Sequence, residues 1–76
     1  MATIAPSRFT DRQTQTVRLI AEGLTKDEIG ARLGISGRTV KQYVEQLRLK
    51  LGVRSQQKIP VAYMQATGDD PFPRAD

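Results

Sequence analysis

The chain has 76 residues, which is enough for one small domain with a modest core. It contains neither cysteine nor histidine, so disulfides, thiolate metal sites, the commonest metal ligand and the commonest general base are excluded. The formal net charge is +4, and no apolar run is long enough to cross a membrane or to act as a leader. We therefore expect no enzyme, no cofactor, no metal and no membrane partner.

A short polar lead and a first helix open the chain. Residues 1–8 contain Pro6 and are expected to be disordered. The first helix begins at Phe9 and Thr10, and the pair Thr10 and Gln13 fits a capping box. Apolar residues then recur at helical spacing and predict a face toward a core: Val17, Ile20, Ala21 and Leu24. The first half of this helix is rich in Thr and Gln, so we expect its second half to hold it in place.

Two helices joined by a tight turn follow, over residues 25–51. Thr25 and Glu28 fit a second capping box, and Gly34 can end the helix in the left-handed conformation. Ser36 can cap the next helix, Gly37 to Leu51, whose apolar stripe is Val40, Val44, Leu47 and Leu51. The cost of Gly30 inside the shorter helix is either simply tolerated or, as we favour, reflects a close crossing by the longer helix that leaves no room for a side chain. This is the helix-turn-helix pattern.

A fourth helix is predicted within residues 55–67. Because proline suits only a first helical turn, Pro60 places the start at Lys58 or Ile59, or makes the first turn irregular. Two interpretations stay open: the helix only covers the three-helix core, or it also contacts a second copy through Val61, Tyr63 and Met64. Residues 69–76 form an acidic, proline-containing tail that we expect to be disordered. The domain is therefore predicted over residues 9–68.

The basic residues cluster on and after the long helix. Six of them lie between Arg38 and Lys58, where Glu45 is the single acid. A basic second helix in this pattern favours nucleic-acid binding. Four side chains on its outer face could reach base edges: Arg38, Lys41, Gln42 and Glu45. The alternative for Glu45 is an ion pair with Lys41 at i,i+4 spacing. Phosphate attraction is expected for Arg48, Lys50 and Arg54.

The segment FTDRQ and the later segment IAEGLTKDEIGARLGISGRTVKQYVEQLRLKLGV resemble a known family. They are similar to the DNA-binding domain of the LuxR/GerE family of bacterial regulators, also called NarL/FixJ-type. The usual pattern has an LTxRE opening, a GLSxKEIAxxLxIS turn, a TVKxH recognition helix and a KLGV exit. The match spans about residues 9–68 and runs through three helices in order.

The resemblance implies an all-α, four-helix helix-turn-helix domain whose third helix, about Gly37 to Leu51, enters the major groove. By position, Lys41, Gln42 and Glu45 fall where family members contact bases or the nearest phosphates. Ser36 and Thr39, with Thr25 and Lys26, fall where backbone phosphates are held. Tyr43 replaces the usual histidine and can offer its hydroxyl to a phosphate. Gln56, Gln57 and Pro60 depart from the usual start of the fourth helix, which often forms a two-fold dimer contact.

The resemblance and the charge pattern together predict a free-standing transcriptional regulator of a bacterium or its phage. We expect it to bind double-stranded DNA sequence-specifically, as a homodimer, in the cytoplasm with the nucleoid. The alternative is a protein-interaction module that docks on RNA polymerase or on a related full-length regulator. The fourth helix and the acidic tail would carry that alternative. A steep loss of duplex binding with salt would favour the first function.

Overall fold

A computed structural model describes residues 3–74 and contains four α-helices. These are α1 (Asp11–Ala21), α2 (Lys26–Leu33), α3 (Gly37–Leu51) and α4 (Ile59–Thr67). Short 3-10 turns at Pro6–Arg8 and Gln56–Lys58 precede α1 and α4, and the described residues contain no strand. The predicted all-α, four-helix class is therefore confirmed. Over the same residues, no helix has the length and apolar character that a membrane crossing needs.

The helix starts follow the predicted caps. Thr10 Oγ1 accepts from the Gln13 N–H at 3.0 Å, and Gln13 Oε1 accepts from the Thr10 N–H at 2.9 Å. Thr25 and Glu28 make the same reciprocal pair at 3.2 and 2.8 Å. Ser36 Oγ accepts from the Thr39 N–H at 3.1 Å. Each cap satisfies backbone donors that the helix itself leaves free, so the boundaries of α1, α2 and α3 are fixed locally.

Gly30 is the point at which the turn crosses α2. A Cβ atom built on Gly30 would lie 2.6 Å from the carbonyl oxygen of Ile35 and 3.3 Å from the backbone nitrogen of Gly37. The predicted close crossing is confirmed, and the crossing partner is the backbone of the turn and of the first residue of α3. Gly34, with φ of 73°, ends α2 and makes this return possible. The start of α3 is therefore held against α2 by backbone contact.

The core lies between α1, α3 and α4, with α2 packed on α3. Val40, Val44 and Leu47 of the predicted α3 stripe are buried, and Leu51 is half-buried. The other buried apolar side chains come from the other three helices and from the residue before α1: Phe9, Val17, Leu19, Ile20, Ile29, Ile59 and Tyr63. Phe9, predicted only as a helix start, is 6% exposed, and its ring meets the ring of Tyr63 edge-on with centroids 5.0 Å apart.

The first half of α1 also belongs to the core, so the expectation that only its second half holds it is wrong. Thr16 is fully buried, because its hydroxyl donates to the Arg12 carbonyl at 2.7 Å and leaves the methyl group free to pack. Gln13 is buried as well, and its Nε2 donates to Oε1 of Gln46 at 3.4 Å. Polar residues with a local partner can be buried at little cost.

Of the two alternatives for Pro60, the structure shows the first, because α4 begins at Ile59. The 3-10 turn passes directly into α4 at Ile59, and Pro60 occupies the first helical turn. Tyr63 is only 1% exposed and lies in the core, with its hydroxyl donating to Asp69 Oδ2 at 3.1 Å. Its assignment to a dimer contact is therefore corrected: a buried ring that packs on Phe9 has no surface to offer. Val61 is 43% exposed and Met64 is half-buried.

The two segments that flank the helices make contacts where they are described. The N–H groups of Thr3 and Ile4 donate to the carbonyl of Ala66 at 2.7 and 2.8 Å. Pro71 is buried, and Phe72 lines a groove whose other apolar walls are Ile20, Ala21, Leu24 and Pro60. The outermost parts of the predicted lead and tail, residues 1–2 and 75–76, lie outside the described residues. The boundaries at residues 9 and 68 stay predictions.

Replacing Tyr63 by phenylalanine should remove the link to Asp69 and lower the free energy of unfolding by about 1 kcal/mol at neutral pH. Burial of the ring first, and then Asp69, raise the pKa of the Tyr63 hydroxyl. Stability contributed by the neutral hydroxyl is therefore complete below the unfolded pKa near 10 and is lost as pH rises through the folded pKa. Tyr63→Phe should not show that alkaline loss. Urea unfolding between pH 7 and 11 measures both effects.

Tyr43→Phe is the matched control for this substitution. Tyr43 is half-buried on α3, and its hydroxyl has no hydrogen-bond partner within residues 3–74. Removal of that hydroxyl should change the free energy of unfolding by less than about 0.5 kcal/mol. Equal effects of the two substitutions would show that the hydrogen bond between Tyr63 and Asp69 adds no stability.

Candidate nucleic-acid interface

The outer face of α3 presents the four predicted base-facing side chains together. Arg38, Lys41, Gln42 and Glu45 are all exposed, while Val40 and Val44 on the opposite side of the helix are buried. Positions three and four apart lie on one helical face, so the four side chains form a continuous row over the first turns. The helix is about 22 Å long, and an α-helix of this kind fits the major groove of B-DNA.

A cleft of about 520 Å³ lies beside this row, between the N-terminal turns of α2 and α3. Six residues line it: Thr25, Lys26, Asp27, Gly37, Arg38 and Lys41. It brings two predicted phosphate contacts, Thr25 and Lys26, next to two predicted base contacts, Arg38 and Lys41. Three of the lining side chains are cationic. Asp27 also lines this cleft, although a carboxylate in the first turn of a helix is accounted for by the helix dipole alone.

Thr25 and Lys26 also border a second cleft, of about 500 Å³. Its remaining walls are Ser55, Gln56 and Gln57 from the segment before α4. The sequence marked these two glutamines only as departures from the usual pattern. Arg54, a predicted phosphate contact, is exposed in the same connection. At the start of α2, the pKa of the Glu28 carboxyl is lowered, mainly by the hydrogen bond from the Thr25 backbone N–H and secondly by the hydrogen bond with the Thr25 side chain. Glu28 therefore stays ionised.

The hydroxyl groups of Ser36 and Thr39 are paired at the start of α3. Their oxygens are 3.0 Å apart, and Ser36 Oγ also accepts the Thr39 N–H. Two hydroxyls carry two hydrogens, and the bond between them uses only one. The other hydrogen is available to an oxygen acceptor outside the protein. Tyr43 lies one turn further on and is half-buried.

The cations near the end of α3 are already engaged by the protein. Arg48 Nη1 and Glu45 Oε1 are 2.5 Å apart, so Glu45 pairs one turn further along the helix and not with Lys41. The predicted alternative pair between Lys41 and Glu45 is therefore corrected. Lys50 Nζ donates to the Arg8 carbonyl at 2.8 Å and lies 4.8 Å from the centre of the Phe9 ring. Lys50 points to the start of the chain, and a phosphate contact would require it to leave these partners.

The sequence of this chain is similar to those of known bacterial regulators. The family described as bacterial regulatory proteins, luxR family, matches residues 7–62. The nitrate/nitrite response regulator protein NarP of Escherichia coli (strain K12) is 34% identical over 62 residues, which are 82% of this chain and 29% of NarP. The DNA-binding transcriptional activator DevR/DosR of Mycobacterium tuberculosis is 40% identical over 47 residues, 62% of this chain and 22% of that protein.

The chain therefore spans less than a third of the length of these relatives. No solved structure matches it. The assignments of individual side chains to bases, phosphates or a second copy stay predictions.

Proposed function

The chain belongs to the luxR family of bacterial regulatory proteins, and from this premise we propose that it binds double-stranded DNA sequence-specifically and regulates transcription. The observation that carries the proposal is the exposed polar row of α3 beside a cleft lined by three cations. A helix face of this composition supplies base contacts, and its two cations, Arg38 and Lys41, together with Lys26 add attraction to the phosphates. In this function the protein acts in the cytoplasm, on the nucleoid.

The row on α3 has the donors and acceptors that base reading requires. Arg38 and Lys41 can donate to the major-groove acceptors of guanine, and Gln42 can make a bidentate pair with adenine. Glu45 can accept from the amino group of cytosine. Its ion pair with Arg48 is exposed, so the attraction lost on rearrangement is small. The four side chains would then contact successive bases on one strand or on both strands of the duplex.

Phosphate contacts are proposed on both flanks of that row. Thr25 and Lys26 lie at the start of α2, and Ser36 and Thr39 lie at the start of α3, where helix N-termini supply backbone donors for phosphate oxygens. The other proposed contacts are Tyr43, Arg48, Lys50 and Arg54. Of these, Arg48 would exchange Glu45 for a phosphate, and Lys50 would exchange the Arg8 carbonyl.

A homodimer is the form that we propose for the bound protein. Val61 is exposed beside a shallow groove of about 350 Å³ that Val53 and Ala62 also line. Val61 and the half-buried Met64 would form the contact, without the buried Tyr63. Two copies paired through α4 would present two α3 helices to one face of the duplex. Half-sites would then be about one helical turn, roughly 34–36 Å, apart.

Selection of bound sites from a random duplex library at physiological salt tests this function. We expect an enriched inverted repeat with half-site centres about one helical turn apart. Enrichment of a single half-site would keep the DNA-reading function and contradict the dimer. Retention of duplex without any enriched sequence would contradict sequence-specific reading. Failure to retain any duplex would contradict the function and direct the search to RNA polymerase or a related regulator.

A further inference from the structure

Asp27 lines the cationic cleft between α2 and α3, and its carboxylate lies against Gly37, which lines the same cleft. Lys26, Arg38 and Lys41 line this cleft with it. Within residues 3–74, Asp27 forms neither a hydrogen bond nor an ion pair with any of the three cations. The ion pair found among these residues joins Arg48 and Glu45 instead. Its negative charge is therefore not neutralised by a direct hydrogen bond or ion pair.

Gly37 creates the space that this carboxylate occupies. A Cβ atom built on Gly37 would overlap Asp27 Oδ1, and it would lie 3.5 Å from Asp27 Cγ and 3.8 Å from Asp27 Cα. Any other residue at the first position of α3 would push the carboxylate out of this location. The contact between α2 and α3 at this point thus consists of an aspartate side chain placed against a bare backbone.

We propose that Asp27 weakens the attraction of this cleft for DNA phosphates and thereby sets the strength and the salt dependence of duplex binding. This inference rests on the proposed DNA-binding function. A fixed negative charge next to three cations lowers the local positive potential, and it repels a phosphate oxygen that enters the cleft. The repulsion acts on the DNA backbone, so it lowers affinity for every sequence by a similar factor.

The effect has a defined dependence on ionic strength. The charge of an exposed carboxylate is screened by salt, over about 10 Å at 0.1 M and over about 3 Å at 1 M, whereas a charge buried in a core is screened much less. Removal of its charge should therefore tighten binding most at low salt. It should also allow one more phosphate to be neutralised, which would make the slope of log K against log salt steeper by up to about 0.9.

The experiment compares the full chain with its Asp27→Asn variant by fluorescence anisotropy on a labelled random duplex, between about 50 and 500 mM salt. Asparagine keeps the shape of aspartate, so it should keep the contact with Gly37. Asp11→Asn is the matched control: Asp11 is exposed in the first turn of α1, outside the cleft, and its loss changes the net charge equally. Circular dichroism and thermal unfolding show whether each variant keeps the fold.

We expect Asp27→Asn to bind random duplex about threefold to tenfold more tightly at the lowest salt, with a steeper salt slope. The Asp11→Asn variant should bind within about twofold of the parent chain. Equal tightening by the two variants would overturn the inference, because it would reflect net charge alone. If the parent chain binds duplex and Asp27→Asn binds it equally or more weakly, the inference is overturned and the proposed function stays intact. Failure of all three proteins to bind any duplex would overturn both.

Discussion

Replacing Gly30 by valine is expected to lower the free energy of unfolding by about 3 kcal/mol or more. A Cβ atom at this position would already lie 2.6 Å from the Ile35 carbonyl oxygen. The neighbour is backbone in the turn, so it cannot move aside as a flexible side chain would. Valine adds two methyl groups in the same space and forces α2 away from the start of α3. For a chain of this size such a loss is a large share of the total stability.

The control is Ala31→Val, which adds the same branched side chain one residue further along α2. Ala31 is exposed, so the cost there should be limited to the lower helix propensity of valine, less than about 1 kcal/mol. Urea unfolding followed by circular dichroism measures both variants. Similar losses at the two positions would show that helix propensity, and not the close crossing at Gly30, determines the effect.

The crossing at Gly30 also determines how α3 is presented. The backbone of the turn is pressed on α2, while Val40, Val44 and Leu47 anchor the rest of α3 in the core. These contacts fix both the position and the rotation of the helix, and the row from Arg38 to Glu45 follows from the helical spacing. A milder substitution that moves α2 without unfolding the chain should therefore weaken duplex binding although no side chain of the row has changed.

The helix boundaries were predictable because the interactions that set them are local. A capping box needs only two residues three apart, as with Thr10 and Gln13, and the α3 stripe needs only the helical period. Gly30 was also informative, because a glycine inside a short helix lowers its stability and is favoured where a second segment passes too close for a side chain. These features indicated the fold class and the outer face of α3 without any knowledge of contacts between helices.

The remaining features depend on contacts between residues that are far apart in the sequence. Tyr63 pairs with Phe9 across the core, and Lys50 reaches the Arg8 carbonyl 42 residues away. No periodicity of α4 distinguishes Tyr63 from Val61, since both lie in a short helix that is apolar on more than one side. The placement of Asp27 against Gly37 likewise requires the crossing geometry of two helices. The sequence therefore identifies which residues are available to the site, and tertiary packing decides which of them face it.

Among the side chains of the site, Lys41 should have the largest effect on binding. It is exposed on the α3 row and also lines the cleft, so it lies at the junction of the two proposed surfaces. Glu45 forms its ion pair with Arg48, so it does not neutralise the charge of Lys41. Loss of a good base contact costs roughly 1–3 kcal/mol, which corresponds to about a tenfold to hundredfold weaker Kd.

Lys41→Ala should therefore bind a selected duplex about tenfold to hundredfold more weakly. Its helix content should be unchanged, because the side chain is exposed. On random duplex the loss should be only a few-fold, since one cation is removed from a field that several others supply. Arg18→Ala removes the same charge from α1, where Arg18 lies beside the tail and outside the cleft. Arg18→Ala should change the affinity for the selected duplex and for the random duplex by no more than about twofold each. If the two variants weaken selected and random duplex alike, Lys41 contributes charge only, and base reading must be assigned to Arg38, Gln42 and Glu45.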